Sequence, residues 1–497
     1  MAITAHHQVL IIGGGTAGIT VAARLKQAGI HDIGLLDPAT THYYQPLWTL
    51  VGGGRAPVEE SARPERSVMP KGVTWIRERA EDIDPDEQTV STDCGSRIGY
   101  GRLIVCPGIQ LDWHKVPGMA EGINTPQISS NYRYNLAPKT WELIHGMRSG
   151  TAVFTMPSGP IKCGGAPQKI AYLAADYWRE QGILKDIRVV LVLPTPTMFG
   201  VPVFSEELDR VVARYGIEVH KSSELVEVDP DGRRATIADH AANTKDSIDF
   251  DMLHLVPPQS APDWLKSTPL ADPANPAGYV EIDKHTMRHV RYPDIFALGD
   301  AGSSPNSKTG AAIRKQAPVV ARNVATSLKG SADLPASYHG YSSCPITTGR
   351  HKMLLAEFDY EGKPRPSFPV IDTTHERRDM WYLKRYGAAV HVLEPDAAGT
   401  LLICGRSPQP IRTRDTTPRA VALRLVMAGP GAGLVRRRHR DQLSQVGTAR
   451  SRPVLWPGRQ AGGQRGGPAG ACVEGRAESP GRRSGRGRPT RRRRRAN

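Results

Sequence analysis

The sequence predicts an α/β protein built on parallel, doubly wound sheets, with a tail of a different kind behind it. Three observations predict it. Strand-like and helix-like runs alternate as far as about Glu394, a glycine-rich turn joins the first strand to the first helix, and the composition changes abruptly after that point. With 497 residues, the chain has room for two or three domains and an ample core. Its formal charge of +16 belongs to the tail: Asp396 to Asn497 holds 23 arginines, no lysine and five acidic residues. The preceding part carries 42 basic and 44 acidic side chains and is close to neutral. Basicity therefore gives no whole-protein argument for specific nucleic-acid binding.

The first element is a βαβ unit: VLII, then GGGTAG, then ITVAARLKQAG, then IGLL, over residues 9 to 36. Gly13, Gly15 and Gly18 form GxGxxG between strand and helix. The first glycine permits the tight turn, the second lets the backbone approach a pyrophosphate, and the third lets helix and strand pack closely. The helix N-terminus then faces the phosphates. Asp37 ends the second strand, 19 residues beyond Gly18, where it can accept a hydrogen bond from a ribose 2′-hydroxyl.

Further strands are expected at Leu103 to Cys106, Ala152 to Met156, Val189 to Leu193 and Ile295 to Leu298, and helices at Pro167 to Glu180, Ser205 to Tyr215 and Thr309 to Lys329. Polar segments at Asp84 to Asp93 and Asp229 to Asp246 read as β-meander connections or surface loops. The run Tyr292 to Ala301, YPDIFALGDA, is a strand ending in Gly299 and Asp300 before a loop and a helix. In flavoproteins with two dinucleotide folds this pattern closes the FAD site, with the Asp on the ribityl chain. LIVCPG, Leu103 to Gly108, reads as the strand end that links the FAD domain to the next, and Cys106 within it reads as a small buried hydrophobe.

A second nucleotide site needs a second glycine fingerprint where the next βαβ unit begins, which the strand pattern sets at Val189 to Leu193. PTPTMFGVPVF follows, without GxGxxG, so NAD(P)H is not expected as electron donor. Six cysteines, at 94, 106, 163, 344, 404 and 472, are too scattered for a secreted disulfide framework or a paired CxxC zinc site. No metal centre is expected, and a reducing compartment fits. Neither a signal peptide nor an apolar run of about 18 residues is visible, so the expected location is cytoplasmic, with attachment to a membrane surface as the alternative. Cys163 lies among glycines just before a helix, which favours a thiolate, and Cys344 lies in a Pro- and Gly-bounded loop. By spacing alone, 181 residues apart, they read as two unrelated structural thiols.

The stretches GGGTAGITVAARL, HYYQPLWTLVGGG, KCGGAPQKIAYL, MFGVPVFSEEL, PDIFALGD, PNSKTGAAI and GYSSCPITTGRHKMLLAEFDY, with others between them, run in order from about residue 8 to 386. Together they resemble the sulfide:quinone oxidoreductases, in the branch that includes the mitochondrial enzyme. The resemblance implies a disulfide-reductase-like flavoprotein with two Rossmann-like domains. Residues 1–110 and 281–335 would form the FAD-binding domain, 111–280 a second Rossmann-like domain without a nucleotide fingerprint, and 336–394 a redox-cysteine and quinone region. It also implies that Cys163 and Cys344 flank the flavin and carry bridging sulfur. Hydrosulfide would open the bridge to a persulfide and a thiolate, the latter expected on Cys344; FAD would take two electrons and a quinone would receive them. The sulfane sulfur would leave on glutathione, sulfite or coenzyme A.

The candidate FAD contacts are Gly13, Gly14, Gly15, Thr16, Ala17, Gly18, Asp37, Gln45, Ala80, Gly299, Asp300 and Lys308, the last offsetting charge on the reduced flavin. Phe358, Tyr360 and the MWYL run at 380–383 are quinone candidates. The same fold leaves a type II NADH:quinone reductase, or a flavin-binding module without redox activity, as alternatives. After LKRY the family continues into apolar, aromatic-rich helices that lie peripherally on the inner membrane. This chain instead reads AAVHVLEPDAAG and then an Arg/Gly/Pro-rich stretch over 395–497, expected to be disordered and of the composition that a shifted reading frame in GC-rich DNA produces.

Overall fold

A computed structural model of the chain describes residues 3–387 other than residue 369. The tail expected over 395–497 and the end of the preceding region lie outside the described residues.

The chain opens on strand β1 (Ala5–Ile12), helix α1 (Thr16–Gln27) and strand β2 (Ile33–Leu36). Val9, Leu10, Ile11 and Leu35 are fully buried, as strands covered on both faces must be, and this is why they read as unbroken apolar runs. β1 is central to a seven-stranded sheet, with β2 and then Thr74–Ile76 on one side and Arg97–Val105 on the other, all parallel. Arg97–Val105 pairs parallel with Ile295–Ala297, which returns from late in the chain, and the antiparallel hairpin Ala80–Asp84 with Thr89–Thr92 closes the edge.

A second parallel sheet is laid over a second βαβ unit: strand β3 (Gly150–Thr155), helix α2 (Ala166–Glu180) and strand β4 (Ile187–Val192). Met252–His254 and Ile128–Ser129 extend it beyond β3, and Glu218–His220 beyond β4. The unit therefore begins at β3, one strand earlier than the sequence pattern suggests. The turn where a glycine fingerprint belongs is the segment MPSGPIKCGG, residues 156–165, and it has no GxGxxG either. The polar stretch around Asp229 to Asp246 is a true three-stranded meander, Ser223–Asp229, Arg234–Asp239 and Thr244–Asp249.

Helix α3 (Gly310–Ser327) follows the Gly-Asp turn and packs on α1. Its Thr309 cap accepts from the Ala312 N–H at 3.1 Å. The antiparallel pair β5 (Ser342–Gly349) and β6 (Lys352–Phe358) then lies against α2, which carries Cys344 from the end of the chain to the second sheet. α2 is buried on every face from Pro167 to Trp178, a helix enclosed by its own sheet, the hairpin and the loop of residues 44–56.

Candidate active site

The two ends of the site are the turn after β1 and the turn after β3. At the first, a side-chain carbon on Gly13 would lie 2.4 Å from the Cys106 carbonyl, and one on Gly18 1.8 Å from the Gly13 carbonyl. Packing alone demands those two glycines. At Gly15 nothing beyond its chain neighbours lies within 4 Å of that position, so packing does not demand glycine there and the space is open to a ligand. α1 begins at the next residue, Thr16, then Ala17, with no side chain among the described residues capping its N-terminus. Asp37 takes the Gly14 N–H on one carboxylate oxygen and the Ala39 N–H on the other. An open cradle at a free helix N-terminus with a carboxylate beside it fits a dinucleotide pyrophosphate and ribose, and hence FAD.

The Gly-Asp turn reaches the same place. Gly299 adopts φ 71°, its α-carbon side faces the Ala17 methyl, and its N–H donates to Gln316 at 2.9 Å. Burial raises the pKa of Asp300, against the pull of Lys308 and Lys162. Lys308 is 5% exposed, and its ammonium is tied to the carbonyls of Asp300 at 2.7 Å and Gly302 at 3.0 Å and sits 3.9 Å from the Tyr279 ring centre. It thus braces the turn. Gln45, on a short 3₁₀ turn, instead receives Lys162 Nζ at 2.7 Å. Ala80 is buried at the start of its hairpin strand, in the core of the first sheet. Cys106 is buried as well, and burial pushes its thiol pKa up.

At the second turn the backbone brings the other cysteines together. Cys163 has φ 54°, a left-handed conformation that only glycine adopts freely, held by its N–H to the Lys308 carbonyl at 2.7 Å and its carbonyl to the Ala166 N–H at 2.7 Å. Its Sγ lies 3.7 Å from Cys344 Sγ. Gly165 is required here, because a side-chain carbon on it would come within 2.5 Å of Cys344 Sγ. Both thiols are free, with Cys344 1% exposed and Cys163 half-buried.

Two lysines, Lys169 and Lys384, act on this pair, Lys162 adjoins Cys163 in the chain, and none of the three was expected from the sequence. Lys169, 3% exposed on α2, donates from Nζ to Cys163 Sγ at 3.0 Å. Burial alone would lower the pKa of that ammonium, but the two sulfurs outweigh it and raise it. The hydrogen bond shared with Cys344 and then the charge of Lys169 hold Cys163 well below the usual thiol range against the opposing effect of burial, while that same bond and burial push Cys344 up. The two thiols are coupled, and the lysine beside Cys163 favours negative charge on that sulfur.

Lys384, from the last described turn, donates to the Pro345 carbonyl at 2.9 Å; burial, then repulsion by Lys169, lowers its pKa to about 7. Lys162, between the rings of Trp48 and Tyr132, is lowered to about 8 by burial. The signal that could have found Lys169 is local: a lysine inside a helix buried on every face needs an anion or acceptor to face.

The quinone candidates are not brought together. Phe358 packs edge-on to Phe199, Tyr360 packs on Tyr338, and Met380 and Trp381 are buried against Met353 and Leu355. Tyr382 and Tyr386 stand exposed and stacked with centroids 6.2 Å apart.

With this geometry in hand, comparison with known proteins is informative. Residues 7–317 match the family model for pyridine nucleotide-disulphide oxidoreductases. The mitochondrial sulfide:quinone oxidoreductase of Mus musculus is 40% identical over 76% of this chain and 84% of its own length. That of Dictyostelium discoideum is 39% identical over 76% and 83%. The crystal structure of the sulfide:quinone oxidoreductase from Aquifex aeolicus superposes with a TM-score of 0.64 at 19% identity, over 77% of this chain and 89% of that one, a likeness of fold.

Proposed function

The chain belongs to the pyridine nucleotide-disulphide oxidoreductases, in their sulfide:quinone oxidoreductase branch, and on that premise we propose that Cys163 and Cys344 are the pair through which it oxidises sulfide. It is an FAD-dependent enzyme that passes the electrons on to a quinone. The observation that carries the cysteine assignment is the 3.7 Å sulfur separation with a buried lysine 3.0 Å from one of the two.

That separation suits an inserted sulfur. Two S–S bonds of about 2.05 Å meeting at a tetrahedral-like angle span roughly 3.3 Å, whereas a direct disulfide would require the sulfurs to close by more than about 1.5 Å. Hydrosulfide attacks the inserted sulfur, one S–S bond breaks, and its electron pair leaves on one cysteine as thiolate while the other cysteine keeps both the inserted and the incoming sulfur, the outer one as the sulfane sulfur to be passed on. Lys169 makes Cys163 the better leaving group of the two, because a sulfur whose anion is paired leaves more readily.

When bound, FAD supplies the two-electron acceptor. The chain's part is to hold the pyrophosphate at Gly15 and α1, the ribose at Asp37, and the Asp300 turn, braced by Lys308, against the thiol pair. As the bridge re-forms, the sulfane sulfur passes to a small nucleophile. Glutathione, sulfite and coenzyme A are all anionic, and Lys162, Lys169 and Lys384 give the pair a cationic surround that suits any of them.

Among the described residues no helix is long and apolar enough to cross a membrane. A quinone is dissolved in lipid, so the enzyme is read as peripheral, with the exposed Tyr382 and Tyr386 on the side nearest the membrane. The test is sulfide turnover in Cys163→Ser and in Cys344→Ser: loss in both supports the pair, and wild-type activity in either removes that cysteine from the mechanism.

A further inference from the structure

Two buried side chains beside the glycine turn have no task in the chemistry above. Glu65 opens the short helix Glu65–Val68 and is 1% exposed; His42, on the strand Thr41–Tyr43, is 4% exposed. Glu65 Oε2 lies 3.6 Å from His42 Nδ1, but Glu65 Oε1 has no hydrogen-bond partner among the described residues, and neither has His42 Nε2. A carboxylate oxygen enclosed by protein and left unpaired is strongly unfavourable, so such a group is explained by a donor that arrives with a ligand.

Its position says which ligand. A side-chain carbon at Gly14 would lie 3.1 Å from Glu65 Oε1 and 3.0 Å from Asp37 Oδ2, so the two carboxylates converge on one side of the same turn. Asp37 has already accepted one N–H on each oxygen, from Gly14 and Ala39. Glu65 Oε1 has accepted none. Two carboxylates at such a place need donors between them, and a ribose offers two adjacent hydroxyls there, whereas a phosphate offers only more negative charge.

We propose that Glu65 is a second carboxylate ligand of the adenosine ribose of FAD, sharing its diol with Asp37, and that His42 positions it. The inference rests on the FAD reading and goes beyond it in naming the residue and the group it takes. It also makes the site one that rejects a ribose whose hydroxyl is blocked or phosphorylated.

The full-length protein, stripped of flavin, is titrated with FAD and with its 2′-deoxy- and 3′-deoxyadenosine analogues, and binding is read by flavin fluorescence. Wild type should bind at least one analogue about 10-fold or more weakly than FAD, the size of a lost hydrogen bond to a charged acceptor. Glu65→Leu should weaken FAD by a similar factor and lose the discrimination at that hydroxyl; Glu65→Gln, whose amide oxygen still accepts, should lose less. Wild type that binds both analogues as tightly as FAD overturns the proposal without recourse to any variant. So does a folded Glu65→Leu protein with unchanged affinity and discrimination, which would leave Asp37 as the sole ribose ligand. A wild-type protein that binds no FAD at all would instead remove the FAD reading on which the proposal stands.

Discussion

The turn after β1 and the turn after β3 occupy the same place in two βαβ units, each between a buried parallel strand and the N-terminus of a helix. One is GGGTAG, and at Gly15 it leaves space with nothing of the protein in it. The other is MPSGPIKCGG, and it places a cysteine in a left-handed conformation with a lysine of the following helix on its sulfur. On the proposed reading, the first turn holds a pyrophosphate that comes with the cofactor at a helix N-terminus, and the second holds a sulfur that belongs to the chain beside a lysine of the following helix. On that reading, the difference is how one fold, used twice, would yield one nucleotide site and one sulfur site.

The comparison can be broken most severely at Gly15. Gly15→Val adds atoms only to the open space, so the protein should fold with a thermal midpoint like that of flavin-free wild type, yet purify colourless. Normal flavin content would mean that the space is not the cofactor's.

At the second turn, Cys163→Ser or Cys344→Ser should lower sulfide-dependent flavin reduction by about 10³-fold or more, because each sulfur has its own task. Both variants should keep a normal flavin spectrum, which separates the two turns.

Lys169→Met should be milder. With the ammonium gone, the Cys163 pKa rises, so alkylation of the reduced protein by iodoacetamide should need a higher pH and be slowed about 10-fold near pH 6, with little change above pH 9. An unshifted pH profile would show that Lys169 does not hold the thiolate.

Lys384 gives the smallest effect, and its sign follows from proton counting. Its folded pKa of about 7 lies below its ordinary 10.5, so between those values the unfolded chain binds more protons and stability rises with pH. Compared with Lys384→Met, the wild type should therefore gain a few degrees at most of thermal midpoint on going from about pH 7 toward pH 10. A difference that is flat in pH, or one that falls, would mean that this lysine is not desolvated at the site.

The two turns were unequally legible in the sequence. GxGxxG with Asp37, and FALGD with Asp300, could be read because the demand of a tight turn on glycine is steric and local, and acts over a few residues. The strands and helices around them were visible for the same reason: buried parallel strands are apolar without interruption. The meeting of Cys163 with Cys344 was not visible from spacing, since it depends on the β5–β6 hairpin docking on α2, and it entered only through family resemblance.

The beginning of the second unit was misplaced by one strand, because VVLVL in β4 is as strong an apolar run as AVFTM in β3 and stands before an equally plausible turn. Lys169 and Lys384 were overlooked since a lysine in sequence reads as solvent-facing. Only the fold shows that Lys169 reaches the Cys163 sulfur and that Lys384 is buried on the Pro345 carbonyl beside Cys344. Glu65, likewise, became meaningful only with an oxygen found enclosed and unpaired.

Anaerobic stopped-flow of the flavin-loaded enzyme against sulfide and against NADH decides between a sulfur site and a nucleotide site at the second turn. If the second turn is a sulfur site, sulfide bleaches the flavin in wild type, fails to do so in Cys163→Ser, and NADH leaves both yellow. Bleaching by NADH at a rate comparable with sulfide would contradict the account, for it would mean that the turn after β3 serves a nucleotide after all.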